Sequence, residues 1–563
     1  MPPLTQKLTI ALAQLNPKVG ALKQNLAKAI AAIHEAVDRG ADIVLFSELF
    51  LTGYFPEDLL FKPQFIEDAA ETIAELAEKT ADLDIAILMP TVHRDEVGLR
   101  NAIAYLEAGE IRAWRYKHRL PNDDVFYEKR YFVEGPPPEP VNIRGIDIGL
   151  PICEDVWWPE ACKSLADKGA EFFLCPNGSP YWRDKQPLRW QMVRDRIAET
   201  GLPMIYLNQV GGQDELVFDG ASFGMDHDGE LVFQGKSFED ELVMVDWEVV
   251  DGRWTCLKGE HFHLVSADEA PWRACVLGLR DYIHKNGFKK VVLGLSGGID
   301  SAVVAAMATD ALGPENVHCI MLPYRYTAPE SLTDAHECAM RLGVRYDVVP
   351  IGGPVDAAND ELSALFEGLE PDVTEENIQS RMRGVILMAV SNKMGSMLLT
   401  TGNKSEMAVG YATIYGDMNG GFNPIKDLLK MQVYHLADWR NNHMPGDCLG
   451  PKGTVIPRSI IDKAPSAELR PDQKDQDSLP PYPVLDALIR GLVEEEKSVA
   501  EIVAEGFDLD LVKRVEWLIY VAEYKRRQSA PGPKLTEKAF GIGRKYPITN
   551  GFRDMSGSER RDK

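Results

Sequence analysis

Residues 291 to 301 read Val-Val-Leu-Gly-Leu-Ser-Gly-Gly-Ile-Asp-Ser. A short apolar run enters a glycine-rich turn, and Ala302 to Leu312 leave it as a helical run closed by Gly313. Strand, turn and helix in that order belong to a layered α/β fold, and few other folds accept them. Such a turn leaves free backbone N–H groups at a helix N-terminus, where an anion is stabilised. It is not a Walker A loop, because the Gly-Lys-Ser/Thr ending is absent. The two glycines allow close backbone approach to a phosphate, and Ser296 and Ser301 can donate hydrogen bonds. Asp300 has the chemistry to hold a magnesium ion.

The rest of the chain is long enough for more than one such unit. It has 563 residues, 45% of them hydrophobic and 26% charged, as an ordinary globular protein has. The net charge of -25 argues against a nucleic-acid partner. Eight cysteines include no Cys-x-x-Cys pair and outline no disulfide framework, which points to a reducing compartment. Residues Met1 to Gln6 do not begin a secretory signal, and no apolar run approaches the roughly 20 residues of a membrane helix. The expected location is cytoplasmic, with no membrane partner.

Strand and helix patterns alternate over residues 1–250, weaken over 251–268 and resume over 269–554. Two domains, a linker and a tail at 555–563 are therefore expected. Glu107-Ala108-Gly109-Glu110 reads as a hairpin turn, and His261-Phe262-His263 as part of the connector rather than a metal pair. Residues 446–482, rich in proline, glycine and charge, read as a mobile loop. Two acidic helices are expected at Val484 to Ala504 and Leu511 to Lys525.

Three contexts in the first half place a reactive type at the end of an expected strand. They are Phe46-Ser47-Glu48, Tyr116-Lys117-His118 and Pro151-Ile152-Cys153-Glu154-Asp155. Singly, a buried thiol, a lysine or a glutamate is ordinary packing or surface. Together, in this order and over roughly the first 245 residues, they resemble the Glu-Lys-Cys triad of the nitrilase, or carbon–nitrogen hydrolase, superfamily. The resemblance implies an αββα sandwich with Cys153 as nucleophile on a carboxamide carbon. Glu48 would carry the proton, and Lys117 with the N–H of Glu154 would stabilise the oxyanion. Glu128, within Phe126-Tyr127-Glu128-Lys129-Arg130, matches a second glutamate that orients the site. Asn177-Gly178-Ser179-Pro180-Tyr181 and Lys185 resemble a glutamine-binding segment, so Ser179 and Lys185 would hold the two α-substituents. Asp123 stands where an aromatic is usual; it contacts the substrate ammonium or points to solvent.

In the second half, Ser-Gly-Gly-x-Asp-Ser resembles the loop of the ATP pyrophosphatases, which cleave ATP between its α and β phosphates. Three further stretches narrow this: Glu376 to Arg383, Thr400 to Glu406 and Tyr411 to Gly421. With Lys525-Arg526-Arg527-Gln528 they resemble the NAD synthetases, in the form that carries an amidase ahead of the synthetase. The resemblance implies a doubly wound parallel-sheet domain with Mg2+ on Asp300 and Glu406. ATP would face Gly294, Leu295, Ser296, Gly297, Gly298, Ile299, Asp300, Ser301, Arg381, Thr401, Lys430 and Ser466. Deamido-NAD would face Asn377, Glu406, Tyr411, Ala412, Thr413, Ile414, Asp417 and Lys525. Glutamine would supply ammonia, passed between the two sites to an adenylated intermediate, in a homo-oligomer. A different carboxylate substrate such as xanthosine monophosphate, or a non-catalytic sensor, are the competing readings.

Overall fold

Strand β1 (Lys7–Gln14) shows why two layers form around it. Leu8, Ile10 and Leu12 face one core, while Ala11 and Ala13 face another, as the period of two along a strand demands. The computed structural model describes residues 6–557, so the tail expected at 555–563 lies outside the described residues beyond Gly557. The chain divides into two compact units, 1–266 and 267–563.

The first unit adds β2 (Ile43–Phe46), β3 (Ala86–Arg94), β4 (Leu99–Glu107) and β5 (Glu110–Tyr116). A second group is β6 (Val141–Ile143), β7 (Ile146–Gly149), β8 (Phe172–Asn177) and β9 (Met204–Asn208). It continues through β10 (Val210–Gln213), β11 (Leu216–Asp219), β12 (Phe223–Met225) and β13 (Leu231–Gln234) to β14 (Glu241–Val250) and β15 (Arg253–Lys258). Seven strands form one sheet in the order β15-β14-β1-β2-β3-β4-β5, and six form another in the order β13-β12-β9-β8-β7-β6. Leu8, Ile10 and Ile43 from the first sheet meet Phe172, Leu174 and Ile205 from the second in one core. Helices Leu22–Asp38 and Pro63–Lys79 cover the outside of the first sheet, and Pro159–Asp167 and Lys185–Thr200 that of the second. This is the expected αββα sandwich. The hairpin turn at Ala108-Gly109 has φ of 50° and 80°, the double positive φ of a type I′ turn.

One boundary needs correction. Residues 251–268 were expected as a linker, yet β15 lies within them and pairs antiparallel with β14. Trp254 is buried against the inter-sheet core, so burial holds a strand where the hydrophobic pattern is weak.

In the second unit β16 (Val291–Gly294), β17 (Val317–Met321), β18 (Arg345–Val348) and β19 (Met397–Leu398) make a parallel sheet in the order β18-β17-β16-β19. The order reverses beside β16, and a doubly wound sheet opens its crevice beyond the carboxyl ends of the strands at that point. Helices Gly352–Leu362 and Val373–Met394 supply Val355 and Ile378 to one core against β16 and β17. The helix Ile299–Leu312 is buried along its whole length except at Asp300. The two acidic helices expected near the C-terminus are broken. The first divides into Tyr482–Ile489, a π turn at Arg490–Glu494 and Val499–Ala504, because Glu496 has φ 50° and Ser498 starts a new helix in a capping box with Glu501. The second is Leu509–Val521 followed by the short turn Glu523–Arg526.

Candidate active sites

In the first unit four chain segments end strands at one place: Glu48 after β2, Lys117 after β5, Cys153 after β7 and Ser179 after β8. Lys117 Nζ donates to Glu48 Oε1 at 2.7 Å and to Glu128 Oε1 at 2.8 Å. Glu48 also accepts from Asn101 Nδ2 at 2.8 Å and from the backbone N–H of Gly178 at 3.0 Å. Tyr54 donates its hydroxyl to Glu128 at 2.9 Å. Glu48, Lys117 and Glu128 are all sealed from solvent. A buried ion set of this kind survives only when every charge has partners, and each hydrogen bond to a charge is worth roughly 1.5–3 kcal/mol.

The electrostatics follow from that sealing. Burial alone would lower the Lys117 ammonium, but Glu128 and Glu48 override it and hold the pKa well above the ordinary lysine value. Burial pushes Glu128 up, Lys117 opposes it and Glu48 adds to it. The Cys153 thiol is raised well above its ordinary value by burial and then by Glu48, with Lys117 pulling the other way. The lysine charge is already shared between two carboxylates, so it offsets only part of what burial and Glu48 impose on the thiol. The set therefore suits a thiol that loses its proton to Glu48 as it attacks, rather than a standing thiolate. Cys153 adopts φ 45° at the start of the 3₁₀ turn Cys153–Val156, a left-handed conformation that costs a non-glycine residue roughly 1–3 kcal/mol.

Ser179 is held from beneath. The buried Arg189 donates through Nε to Ser179 Oγ at 3.2 Å and through Nη2 to Ser179 O at 2.8 Å, while Asp219 takes Nη1 at 2.9 Å. Asn208 Oδ1 accepts the Ser179 N–H at 3.0 Å. Lys185 begins the helix Lys185–Thr200, its ammonium 5.8 Å from the Trp182 ring centre. Asp123 is exposed, and its charge reaches Glu154. Tyr54, Asn101, Asp155, Arg189 and Asn208 were not singled out from the sequence as site residues. Asp155 lies within a quoted motif and Tyr54 six residues after Glu48, whereas Asn101, Arg189 and Asn208 carry no local signal.

In the second unit the glycine-rich loop closes on itself. Ser301 Oγ accepts from the Ser296 N–H at 3.2 Å and donates to Gly298 O at 3.0 Å, and Ser296 Oγ accepts from the Gly298 N–H at 3.2 Å. Gly297 has φ 79°, and a β-carbon there would lie 2.3 Å from the Ser331 carbonyl oxygen, so only glycine fits. Lys430 Nζ donates to Asp300 Oδ2 and, at 3.1 Å, to Glu406 Oε1. Asn403 donates to Asp300 Oδ1 at 2.9 Å and caps the helix Lys404–Val409 that carries Glu406. Burial raises Glu406, Lys430 lowers it and Asp300 raises it again. Two carboxylates that repel each other around one cation are a pair a divalent ion would relieve. No group of three or more His, Cys, Asp or Glu among the described residues is arranged to hold a metal alone. An ion there must complete its shell from phosphate and water, as magnesium does.

A cavity of about 210 Å³ is lined by Ser296, Asp300, Thr401, Glu406, Lys430 and Ser466. Ile299, Tyr411, Ala412 and Asp417 also face it. A second, of about 240 Å³, begins at Gly294 and Leu295 and is walled by Leu322, Leu387 and Arg383. Thr400, Thr401, Asp417 and Glu468 line both. The expected ATP residue Arg381 lies off both cavities; it is exposed and donates to Ile414 O at 3.3 Å. Two residues along a helix turn a side chain through about 200°, so Arg383 takes the inner position and donates to Leu322 O at 3.0 Å. Asn377 accepts from Thr413 at 2.9 Å, and Lys525 donates to the carbonyls of Gly410 and Ala412 at 2.7 Å each. These residues gather around the 410–414 segment, outside the cavity walls.

The carbon-nitrogen hydrolase family matches residues 9–253, and the NAD synthase family matches residues 271–529. The glutamine-dependent NAD(+) synthetase of Rhodobacter capsulatus is 53% identical over 98% of this chain and all of that protein. The chain belongs to the glutamine-dependent NAD(+) synthetase family. Another member, from Synechocystis, is 43% identical over 97% of this chain and 99% of its own length. The solved member from Acinetobacter baumannii, in complex with ADP, covers 98% of this chain and 100% of its own with 37% identity and a TM-score of 0.76. The structure from Cytophaga hutchinsonii, at 23% identity and a TM-score of 0.82 over 97% of this chain and 98% of its own, shares the fold.

Proposed function

We propose that this chain amidates deamido-NAD to NAD, using glutamine as the nitrogen source and ATP as the activator. One observation carries the reading. A chain of this family keeps a sealed Glu48–Lys117–Glu128 set beside Cys153, together with a hydroxyl-lined glycine loop beside Asp300, Lys430 and Glu406.

In the amidase step Cys153 Sγ attacks the carboxamide carbon of glutamine and its proton passes to Glu48. The oxygen that becomes negative is met by Lys117 and the N–H of Glu154. Glu48 then protonates the departing nitrogen, ammonia leaves and a thioester remains. Water, deprotonated by Glu48, attacks that thioester, releases glutamate and returns a proton to sulfur. Glu128 and Tyr54 keep the lysine charged and aimed. Ser179 and Lys185 hold the α-substituents of glutamine.

In the synthetase step the nicotinate carboxylate attacks the α-phosphorus of ATP, and pyrophosphate departs toward the Ser296 loop. Ammonia then attacks the adenylated carbonyl and AMP leaves. The adenosine sits in the cavity walled by Leu322 and Leu387, whose apolar faces suit a purine. Asp300 and Glu406 would hold a magnesium ion, which when bound offsets the repulsion between the two anionic substrates. Lys430 keeps the two carboxylates together, and Asn377, Thr413 and Lys525 order the segment that meets deamido-NAD. Ammonia passes from the first site to the second without mixing with bulk water, because protonated ammonium is not a nucleophile. The active form is a homo-oligomer.

The test compares NAD formation from glutamine and from ammonium salts in the parent and in Cys153→Ala, with deamido-NAD or xanthosine monophosphate as acceptor. Loss of glutamine use with ammonium use retained, and only deamido-NAD accepted, is the expected result. An external ammonia scavenger that abolishes glutamine-driven synthesis would remove the protected transfer from the reading.

A further inference from the structure

Asp155 lies two residues beyond Cys153, is almost wholly buried and touches neither Glu48 nor Lys117 by hydrogen bond. Its carboxylate instead collects three backbone donors, two from a distant segment and one from its own turn. Oδ1 accepts from the N–H of His118 at 3.0 Å and of Arg119 at 2.7 Å, the two residues that follow Lys117. Oδ2 accepts from the N–H of Ile152 at 3.0 Å, the residue that precedes Cys153. One side chain therefore ties the strand end that carries the lysine to the turn that carries the thiol.

We infer that Asp155 is a positioning residue of the amidase half, setting the distance and orientation between Lys117 and Cys153. This rests on the reading of those two as oxyanion donor and nucleophile. The physical argument has two parts. First, Cys153 sits at φ 45°, and such a conformation persists only where the surroundings dictate it. The Ile152 N–H donates to Asp155 Oδ2 while the Asp155 N–H donates back to Ile152 O at 3.0 Å, and this reciprocal pair closes the 3₁₀ turn and supplies that constraint. Second, β5 ends at Tyr116, and although the Lys117 N–H still reaches Asn101 O at 2.9 Å, the N–H groups of His118 and Arg119 turn to the Asp155 carboxylate. Those two N–H groups are half-buried, and the carboxylate is the partner that replaces water for them. An ionised carboxylate can accept all three donors at once. An asparagine of the same shape offers one acceptor atom and sets an NH₂ group against the remaining backbone N–H, so it separates charge and geometry from mere volume.

The experiment uses the full chain with Asp155→Asn and Asp155→Ala. It follows glutamine kcat and KM, ammonium-driven NAD formation, near-ultraviolet circular dichroism and iodoacetamide labelling of Cys153. In Asp155→Asn the glutamine kcat falls about 100-fold. Its KM stays within about threefold of the parent, while ammonium-driven synthesis and labelling persist. Asp155→Ala loses more. A kcat for Asp155→Asn within threefold of the parent overturns the inference, as does a rise confined to KM. Loss of the native dichroism in Asp155→Asn overturns it too, since the residue would then hold the fold. Cys153→Ala run alongside separates the two levels: retention of glutamine use there refutes the amidase reading itself, whatever Asp155 does.

Discussion

The backbone N–H of Gly178 donates to Glu48 Oε2 at 3.0 Å, across 130 residues of chain. It joins the segment read as binding glutamine to the carboxylate read as moving its proton. A β-carbon on Gly178 would lie 2.8 Å from the Tyr54 ring, which in turn donates to Glu128. Gly178→Ala should therefore shift both glutamates together. Glutamine-driven NAD formation should fall by about 10-fold or more while ammonium-driven formation holds. Steady-state rates with the two nitrogen sources check this; equal loss of both would contradict it.

The raised Cys153 pKa gives a pH dependence with a definite sign. Burial and then Glu48 favour the neutral thiol, so the expected species at pH 7 is the thiol. Labelling of Cys153 by iodoacetamide without glutamine should rise about tenfold per pH unit from pH 7 to 9 without levelling. Mass spectrometry of the Cys153 peptide reads it. A plateau near neutrality would mean a standing thiolate.

Asp300 and Lys430 make a third case. Asp300→Asn removes the carboxylate that Lys430 and Asn403 both hold. NAD formation should fall by at least about 100-fold with either nitrogen source, as expected when charge stabilisation is lost. Glutaminase activity should remain measurable. Persistence of NAD formation would exclude Asp300 from the phosphate chemistry.

Arg381 and Arg383 can be told apart by kinetics. Arg383→Met should raise the KM for ATP by about 10-fold, since Arg383 walls the second cavity. Arg381→Met should leave the KM for ATP within about twofold and act on deamido-NAD instead, through its contact with Ile414. The reverse pattern would restore Arg381 to the ATP site.

Lys404 sits in the Thr400 to Glu406 motif but not in the cavity walls. It is fully buried and paired with Asp427 at 2.8 Å and Glu494 at 2.7 Å. Lys404→Met should cost the second unit about 3–5 kcal/mol by removing the cation that Asp427 and Glu494 share. The KM for ATP should be unchanged in protein that folds. Urea denaturation measures the first, and an unaltered midpoint would refute it.

Much of this was legible in the chain alone. Alternating apolar runs located most strands and the helices after them, because period and composition are local properties. Glu48, Lys117, Cys153 and the Ser296 loop were legible too, each at a strand end beside residues of telling type. Their convergence was not. Glu48 and Lys117 lie 69 residues apart, and only the pairing of strands in one sheet brings them to 2.7 Å. The same holds for Asp155, whose role depends on backbone donors that have no residue identity. Arg381 and Arg383 look equivalent in sequence, and helix phase alone decides which one faces the cavity. Strand β15 escaped notice because tertiary burial of Trp254 stabilises it more than its own weak pattern does. The sequence by itself determined which chemistry was available and in what order along the chain. The tertiary structure decided which groups share a buried, low-dielectric space, and there desolvation and pairing set the charge states that the chemistry uses.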